Sequence, residues 1–282
     1  WSSDVCSSDL LGERVHATAP GGHRQTTTML SSIRADGTTA CMTIAGATGT
    51  EVFQTYVRDV LCPTLRPGDL VVMDNLYAYG APGGRPMTED LPQKPINPYG
   101  ESKLMVEQML RWYREIHGLG FVAFRYFNAA GASEQFGEHH RIETHLIPNI
   151  LKVALGQKTH VEVFGTDYPT ADGTCIRDYI HIQDLCSAHW LGLQALLRKG
   201  GCQAYNLGNG QGFSVQEVID TAERVTGRKI PVIDAPRRAG DPARLVADAR
   251  RAREQLGWQP QYADLDTIVA HAWRWEQQGA PS

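Results

Sequence analysis

From Phe121 onward the chain alternates short apolar runs with longer stretches of helical periodicity. That alternation constrains the fold most, because strand–helix–strand order builds a sheet covered by helices. Phe121 to Phe127 reads as an apolar strand, Leu146 to Leu155 as a helix, and Val161 to Phe164 as a short strand. His181 to Leu197 puts Leu185, Ala188, Ala195 and Leu196 on one helical face, with Gly192 between them. Ala204 to Leu207 is a strand ending in Gly208-Asn209-Gly210. Ser214-Val-Gln-Glu217 is a capping box that starts a helix, and Gly227 can stop it. Ile230 to Ile233 is a further strand, Asp248 can cap a helix ending at Gly257, and Leu265 to Trp275 is a last amphipathic helix. The expected class is α/β.

Upstream lies Asn97-Pro98-Tyr99-Gly100-Glu101-Ser102-Lys103. Asn97 can cap a helix and Pro98 suits its first turn. Met105, Val106, Met109, Leu110 and Tyr113 supply a buried face. Tyr99 and Lys103, four residues apart, then share one side of that helix. A free tyrosine titrates near about 10 and is a poor base at neutral pH. A neighbouring ammonium favours the phenolate, so the pair forms a unit for moving a proton on and off a hydroxyl.

The chain has 282 residues and a formal net charge of −4, which offers no surface argument for nucleic acid or a membrane. No apolar run is long enough to span a bilayer, and the N-terminus has no secretory pattern. Cys6, Cys41, Cys62, Cys175, Cys186 and Cys202 are scattered without metal-ligand spacing, as expected of reduced thiols in a cytoplasmic protein. His139, His140 and His145 cluster in a polar loop without the partners a zinc site uses, so no metal is expected.

Residues 1–10, Trp-Ser-Ser-Asp-Val-Cys-Ser-Ser-Asp-Leu, match at all ten positions the translation of a sequencing adapter, TGGAGTTCAGACGTGTGCTCTTCCGATCT. They are set aside from fold reasoning. In residues 11–77, Met29 to Ile33 and Ala40 to Ile44 read as strands around an Asp36-Gly37 turn. Val52 to Leu61 reads as a helix and Leu70 to Met73 as a buried strand ending at Asp74-Asn75. Gly46-Ala-Thr-Gly-Thr-Glu-Val-Phe53 and Val60-Leu-Cys-Pro-Thr-Leu-Arg-Pro-Gly-Asp-Leu-Val-Val-Met-Asp-Asn75 resemble part of the catalytic domain of DDE insertion-sequence transposases. The resemblance implies a partial RNase H-like α/β fragment with one of three metal-holding carboxylates at Asp74. One carboxylate cannot hold two metal ions, so neither metal nor nucleic acid is expected there. Gly46-Ala47-Thr48-Gly49 mimics a dinucleotide-binding loop, but Val52 takes its third glycine position.

Residues 78–278 resemble the C-terminal portion of UDP-glucose 4-epimerases, extended short-chain dehydrogenases/reductases. The resemblance runs through Asn97-Pro-Tyr-Gly-Glu-Ser-Lys-Leu-Met-Val-Glu-Gln108, Arg125-Tyr-Phe-Asn-Ala-Ala-Gly-Ala132 and His145-Leu-Ile-Pro148. It continues through Phe164-Gly-Thr-Asp-Tyr-Pro-Thr170, Asp172-Gly-Thr-Cys-Ile-Arg-Asp-Tyr-Ile-His-Ile-Gln-Asp-Leu185, Tyr205-Asn-Leu-Gly208 and Ala235-Pro-Arg-Arg-Ala-Gly-Asp-Pro242. It implies the C-terminal part of an extended Rossmann-type reductase with its substrate-binding domain, preceded by the foreign fragment. It implies UDP-sugars as substrates, transient oxidation at C4 with NAD, and a parent homodimer formed through the Tyr99 helix. Tyr99 is the implied base, and Lys103 tunes it and contacts the nicotinamide ribose. Tyr126 could touch the nicotinamide or simply pack. Asn128, His145 and Leu146 are implied substrate contacts, Arg177 and Arg238 a diphosphate clamp, Phe164 a neighbour of the uracil, and Asp241 a ribose contact.

The family's Ser-Ser-Ala-Thr-like segment, with its catalytic Ser or Thr, would fall where this chain has Asp74-Asn75-Leu76-Tyr77. The glycine-rich NAD loop has no counterpart either. The expectation is a chimera joined near residues 75–79 that holds NAD poorly and lacks epimerase activity. Rival readings are an arabinose- or glucuronate-type 4-epimerase, a nucleotide-sugar dehydratase, a DNA transposase and a non-functional assembly product.

Overall fold

The computed structural model describes residues 55–64, 79, 85–95, 98–138, 143–238 and 240–278, together with the backbone of four strands nearer the N-terminus. The chain divides into two units, Trp1–Arg66 and Pro67–Ser282. In the first, β1 (Ser7–Ser8) and β2 (Arg14–Val15) pair antiparallel. β3 (Thr27–Ile33) and β4 (Thr39–Ala45) form an antiparallel hairpin in which Met29 faces Thr43. The expected hairpin is therefore present. Of the expected helix over Val52 to Leu61, residues 52–54 lie outside the described residues, Thr55 is α-helical and Tyr56–Leu61 is π-helical, running into a 3-10 turn, Cys62–Thr64. The expected strand at Leu70 to Met73, Asp74 and the Gly46–Gly49 decoy lie outside the described residues.

In the second unit, α1 (Pro98–His117) opens on Pro98 as expected, whereas Asn97 lies outside the described residues. Val106 and Leu110 are buried, while Met105, Met109 and Tyr113 are half-buried. β5 (Phe121–Tyr126) pairs in parallel with β10 (Cys202–Leu207), in register Phe121↔Cys202 through Tyr126↔Leu207. Residues 121–125 are all buried, the pattern of a strand covered on both faces. Its cover is α3 (Ile182–Lys199), with α5 (Arg250–Leu256) beside β10. Leu185, Ala188 and Leu196 of α3 are buried as expected. Gly192 explains itself here: a Cβ at that position would lie 2.6 Å from Cζ of Phe124. The close approach of helix to strand requires the missing side chain.

A second apolar core joins α2 (Leu146–Ala154), β7 (Val161–Phe164), α4 (Val215–Thr226) and α6 (Leu265–Gln278). β7 pairs in parallel with β12 (Val232–Ala235). The sequence places that strand two residues earlier, at Ile230. Pro231 has no N–H to give a ladder, and the Ile230 N–H is taken by the Glu223 carboxylate at 2.9 Å, so pairing begins at Val232. The capping box is formed: Ser214 Oγ accepts from the Glu217 N–H at 3.0 Å, and Glu217 Oε2 accepts from the Ser214 N–H at 2.7 Å. Gly227 ends α4 in the left-handed region. The cap of α5 is Ala249, not Asp248, whose carboxylate instead accepts from the Arg250 N–H at 3.0 Å.

Five strands escape the periodicity because each has only two or three residues. β6 (Asn128–Ala130) pairs in parallel with β9 (Tyr179–His181). β8 (Ile176–Arg177) lies between antiparallel β11 (Phe213–Ser214) and parallel β13 (Arg244–Leu245). His181 ends β9 rather than lying in the helix, and its ring accepts the Gln183 N–H as the cap of α3.

Candidate nucleotide-sugar site

β7 and β12 end side by side, with Phe164 paired to Ala235. The loop after β12 therefore starts beside Phe164, and Arg238 lies with its Cζ 4.1 Å from the centre of that ring. Cation–aromatic stacking of this kind suits guanidinium. The Asp241 N–H donates to the Arg238 carbonyl at 3.2 Å, which turns the loop back toward β8. There Arg177, buried on β8, pairs Nη2 with Asp241 Oδ1 at 2.5 Å and donates Nη1 to the Ile176 carbonyl at 2.7 Å. Phe164, Arg177, Arg238 and Asp241, dispersed in sequence, thus converge on one corner.

Asn128 sits at the start of β6, one strand pairing from Arg177: its N–H donates to the Asp178 carbonyl at 3.0 Å. Asn128 Oδ1 is shut off from solvent with no protein donor. An acceptor left in that state costs about 1–3 kcal/mol. Asp178, between β8 and β9, accepts from the N–H groups of Asn209, Gly210 and Ala247 at 2.8, 3.0 and 3.0 Å. Burial pushes its carboxyl up against these bonds. Asp178 is not among the candidate residues named from the sequence, where it sits between Arg177 and Tyr179.

His145 and Leu146 form the entrance to α2. His145 is exposed, and its Nδ1 lies 2.8 Å from Glu143 Oε1. Burial pushes the Glu143 carboxyl up, but bonds from the His145 ring and backbone outweigh this and hold it below the usual range. Leu146 packs on the second core. Glu138, Glu143 and His145 are the one group among the described residues whose ligand atoms could meet a cation. His139 and His140 lie outside the described residues.

On α1 the backbone of Tyr99 is helical, but its side chain lies outside the described residues. Lys103 is half-buried one turn later. Tyr126 is half-buried at the end of β5, edge-on to His189 with ring centres 6.3 Å apart. Lys103 and Tyr126 thus stand on α1 and β5, two elements in contact. No glycine-rich strand-to-helix turn for a pyrophosphate occurs among the described residues.

Behind α1 lies a network that the sequence did not reveal. Arg125 donates Nε to Glu107 Oε1 at 2.7 Å and Nη2 to Oε2 at 2.5 Å. Its Nη1 reaches the Tyr79 hydroxyl at 2.5 Å, and that hydroxyl donates to Asn206 Oδ1 at 2.6 Å. Burial pushes Tyr79 up to about 12, so it stays protonated. Burial opposes the Arg125 charge, but Glu107 and Tyr79 together more than restore it. The clue was present: an arginine inside an apolar strand needs an internal partner.

A family model described as GDP-mannose 4,6 dehydratase matches residues 77–271. The chain belongs to the GDP-mannose 4,6 dehydratase family. Within that family it is similar to UDP-glucose 4-epimerases. The Halalkalibacterium halodurans UDP-glucose 4-epimerase is 50% identical over 211 residues, covering 74% of this chain and 63% of the relative. The chain therefore spans less than two thirds of the length of that curated relative. The crystal structure of the Brucella ovis UDP-glucose 4-epimerase in complex with NAD superposes with a TM-score of 0.71 at 44% identity, covering 80% of this chain and 68% of that one. The Bifidobacterium longum enzyme, in complex with NAD+ and UDP, gives a TM-score of 0.69 at 36% identity, covering 81% and 67%. The C-terminal portion of this family member is thus an extended Rossmann-type α/β reductase fold. Among the described residues Cys175, Cys186 and Cys202 are free thiols, and no described helix is long and apolar enough to cross a membrane.

Proposed function

We propose that residues 78–278 are the proton-transfer and UDP-sugar-binding part of a UDP-glucose 4-epimerase that works with NAD. The convergence of Arg177 and Asp241 with Arg238 on Phe164 carries this reading. Two guanidiniums beside an aromatic ring suit a diphosphate joined to a base. Asn128, with its unpartnered acceptor, suits a sugar hydroxyl. Asp241, already holding Arg177, is placed to share a ribose hydroxyl, and His145 and Leu146 would line the sugar's approach. Tyr99 would take the 4-hydroxyl proton, with Lys103 on the same helical side favouring the phenolate. NAD, when bound, supplies the hydride exchange at C4, and Lys103 and Tyr126 would meet its nicotinamide end.

We further propose that residues 1–10 are adapter-derived and that residues 11–77 are transposase-derived, with neither serving nucleic-acid chemistry. The junction replaces the serine that would assist Tyr99, so this chain binds UDP but turns over poorly or not at all. The exposed Trp112 and Ile116 on α1 support a homodimer through that helix, as for the parent enzyme. The free thiols support a cytoplasmic setting.

The test is calorimetric titration of the purified chain with UDP, beside assays for co-purified NAD and for UDP-galactose conversion. Saturable UDP binding without NAD or turnover is expected. Bound NAD with conversion would overturn the inactivity, and no UDP binding would overturn the site.

A further inference from the structure

Arg237 has no role in the site described above, yet it is bonded and stacked as closely as its neighbour Arg238. Its Nε lies 2.6 Å from Asp167 Oδ1, and its Nη2 also donates to the Asp167 carbonyl. Its Cζ stands 4.2 Å from the centre of the Tyr168 ring. Its stem crosses Gly165, where a Cβ would lie 2.5 Å from Arg237 Cγ and where φ is +89°. A side chain at residue 165 would therefore block the crossing.

The ion pair is solvent-exposed, with side chains 41% and 76% accessible, so it adds little to stability by charge alone. What it does is geometric. Pro236 restricts the chain after β12, Arg237 is fastened to residues 167–168, and Arg238 lies on Phe164. The loop is held at two successive residues by two successive arginine–aromatic stacks. Only then does Asp241 turn back to Arg177.

We propose that Arg237 is a positioning residue for nucleotide binding: it latches the loop after β12 so that Arg238 faces the diphosphate. The inference rests on the UDP-binding reading given above. The latch acts on the phosphate side, because the residue it orders directly is Arg238, whereas Asp241, on the ribose side, is held separately by Arg177. The uridine side keeps Phe164, which β7 holds independently.

The experiment titrates UDP and uridine, by NMR, into the full chain and into Arg237→Ala, Arg237→Lys, Asp167→Asn and the double variant Asp167→Asn/Arg237→Ala. Arg237→Ala is expected to weaken UDP about tenfold, the scale of one charged hydrogen-bonded contact. Uridine affinity should stay within about twofold, as no uridine contact is removed. Lysine keeps the charge but can neither stack as a plane nor bond twice, so Arg237→Lys should not rescue. The double variant should be no weaker than Arg237→Ala, as for two ends of one latch. Equal losses for UDP and uridine, rescue by lysine, or additive losses would each overturn the latch while leaving UDP binding intact. A wild-type chain that does not bind UDP refutes the UDP-binding reading and the latch with it.

Discussion

Glu107 of α1 and Arg125 of β5 meet as a buried two-pronged ion pair, each side chain only 2% exposed. Glu107 lies one turn beyond Lys103, so this pair seats the helix that carries Tyr99 and Lys103 against the sheet. Removing Glu107 leaves the Arg125 guanidinium in the core without its carboxylate. Glu107→Ala is expected to cost about 3–5 kcal/mol, read as a lowered urea midpoint. Replacing both residues with apolar ones should cost less than either single change. Equal or greater loss in the double variant would show that the pair does not act as a unit.

Arg177 holds Asp241 and faces the proposed diphosphate position. Arg177→Ala should weaken UDP at least about tenfold, since it removes a charged donor. Arg177→Lys should recover little of this, because a point charge cannot bond Asp241, Ile176 and a phosphate oxygen together. Calorimetric titration reads both.

Gly192 lets α3 touch β5. A methyl group there would stand 2.6 Å from Phe124 Cζ and 3.0 Å from Cε2. Gly192→Ala should destabilise by about 1–3 kcal/mol, the usual cost of overpacking. Phe124→Leu in the same chain should return part of that loss in urea unfolding, because it clears the clashing atoms.

His181 is buried, stacked on Tyr262 at 4.6 Å between ring centres and 3.1 Å from the His271 ring nitrogen. Burial first, and His271 second, push it down to about 4. In the unfolded chain it titrates near about 6.5. Between these values the unfolded state binds a proton that the folded state refuses, so stability falls as pH drops from about 6.5 to about 4. Burial lowers His271 as well and adds to the trend. His181→Asn keeps a cap acceptor for Gln183 and should flatten the urea midpoint's pH dependence in that window. A wild-type profile that is already flat there would refute this.

Long elements were legible because their periodicity and punctuation are local. The strand at Val161 to Phe164 matches its expected ends, α2 begins at Leu146 as expected, and α4 begins where the Ser214 capping box predicts. Very short strands were not legible, because two residues carry no period. β8 is such a strand, and it is the one that positions Arg177. The motifs nominate individual candidate residues. They do not disclose those residues' contacts, as the Arg177–Asp241 and Arg237–Asp167 pairings show.

The amino-acid order by itself determined the α/β class, the capped helices and the helical spacing of Tyr99 and Lys103, since these follow from neighbours within a few turns of chain. Only the tertiary structure decided that Glu107 lies under Arg125, that Asn128 is left with an empty acceptor, and that Arg238 lies on Phe164. Those relations join residues far apart in sequence. They exist because parallel pairing of β5 with β10, β6 with β9 and β7 with β12 brings the strand ends together. Parallel strands need long connections, so no local pattern can carry that information.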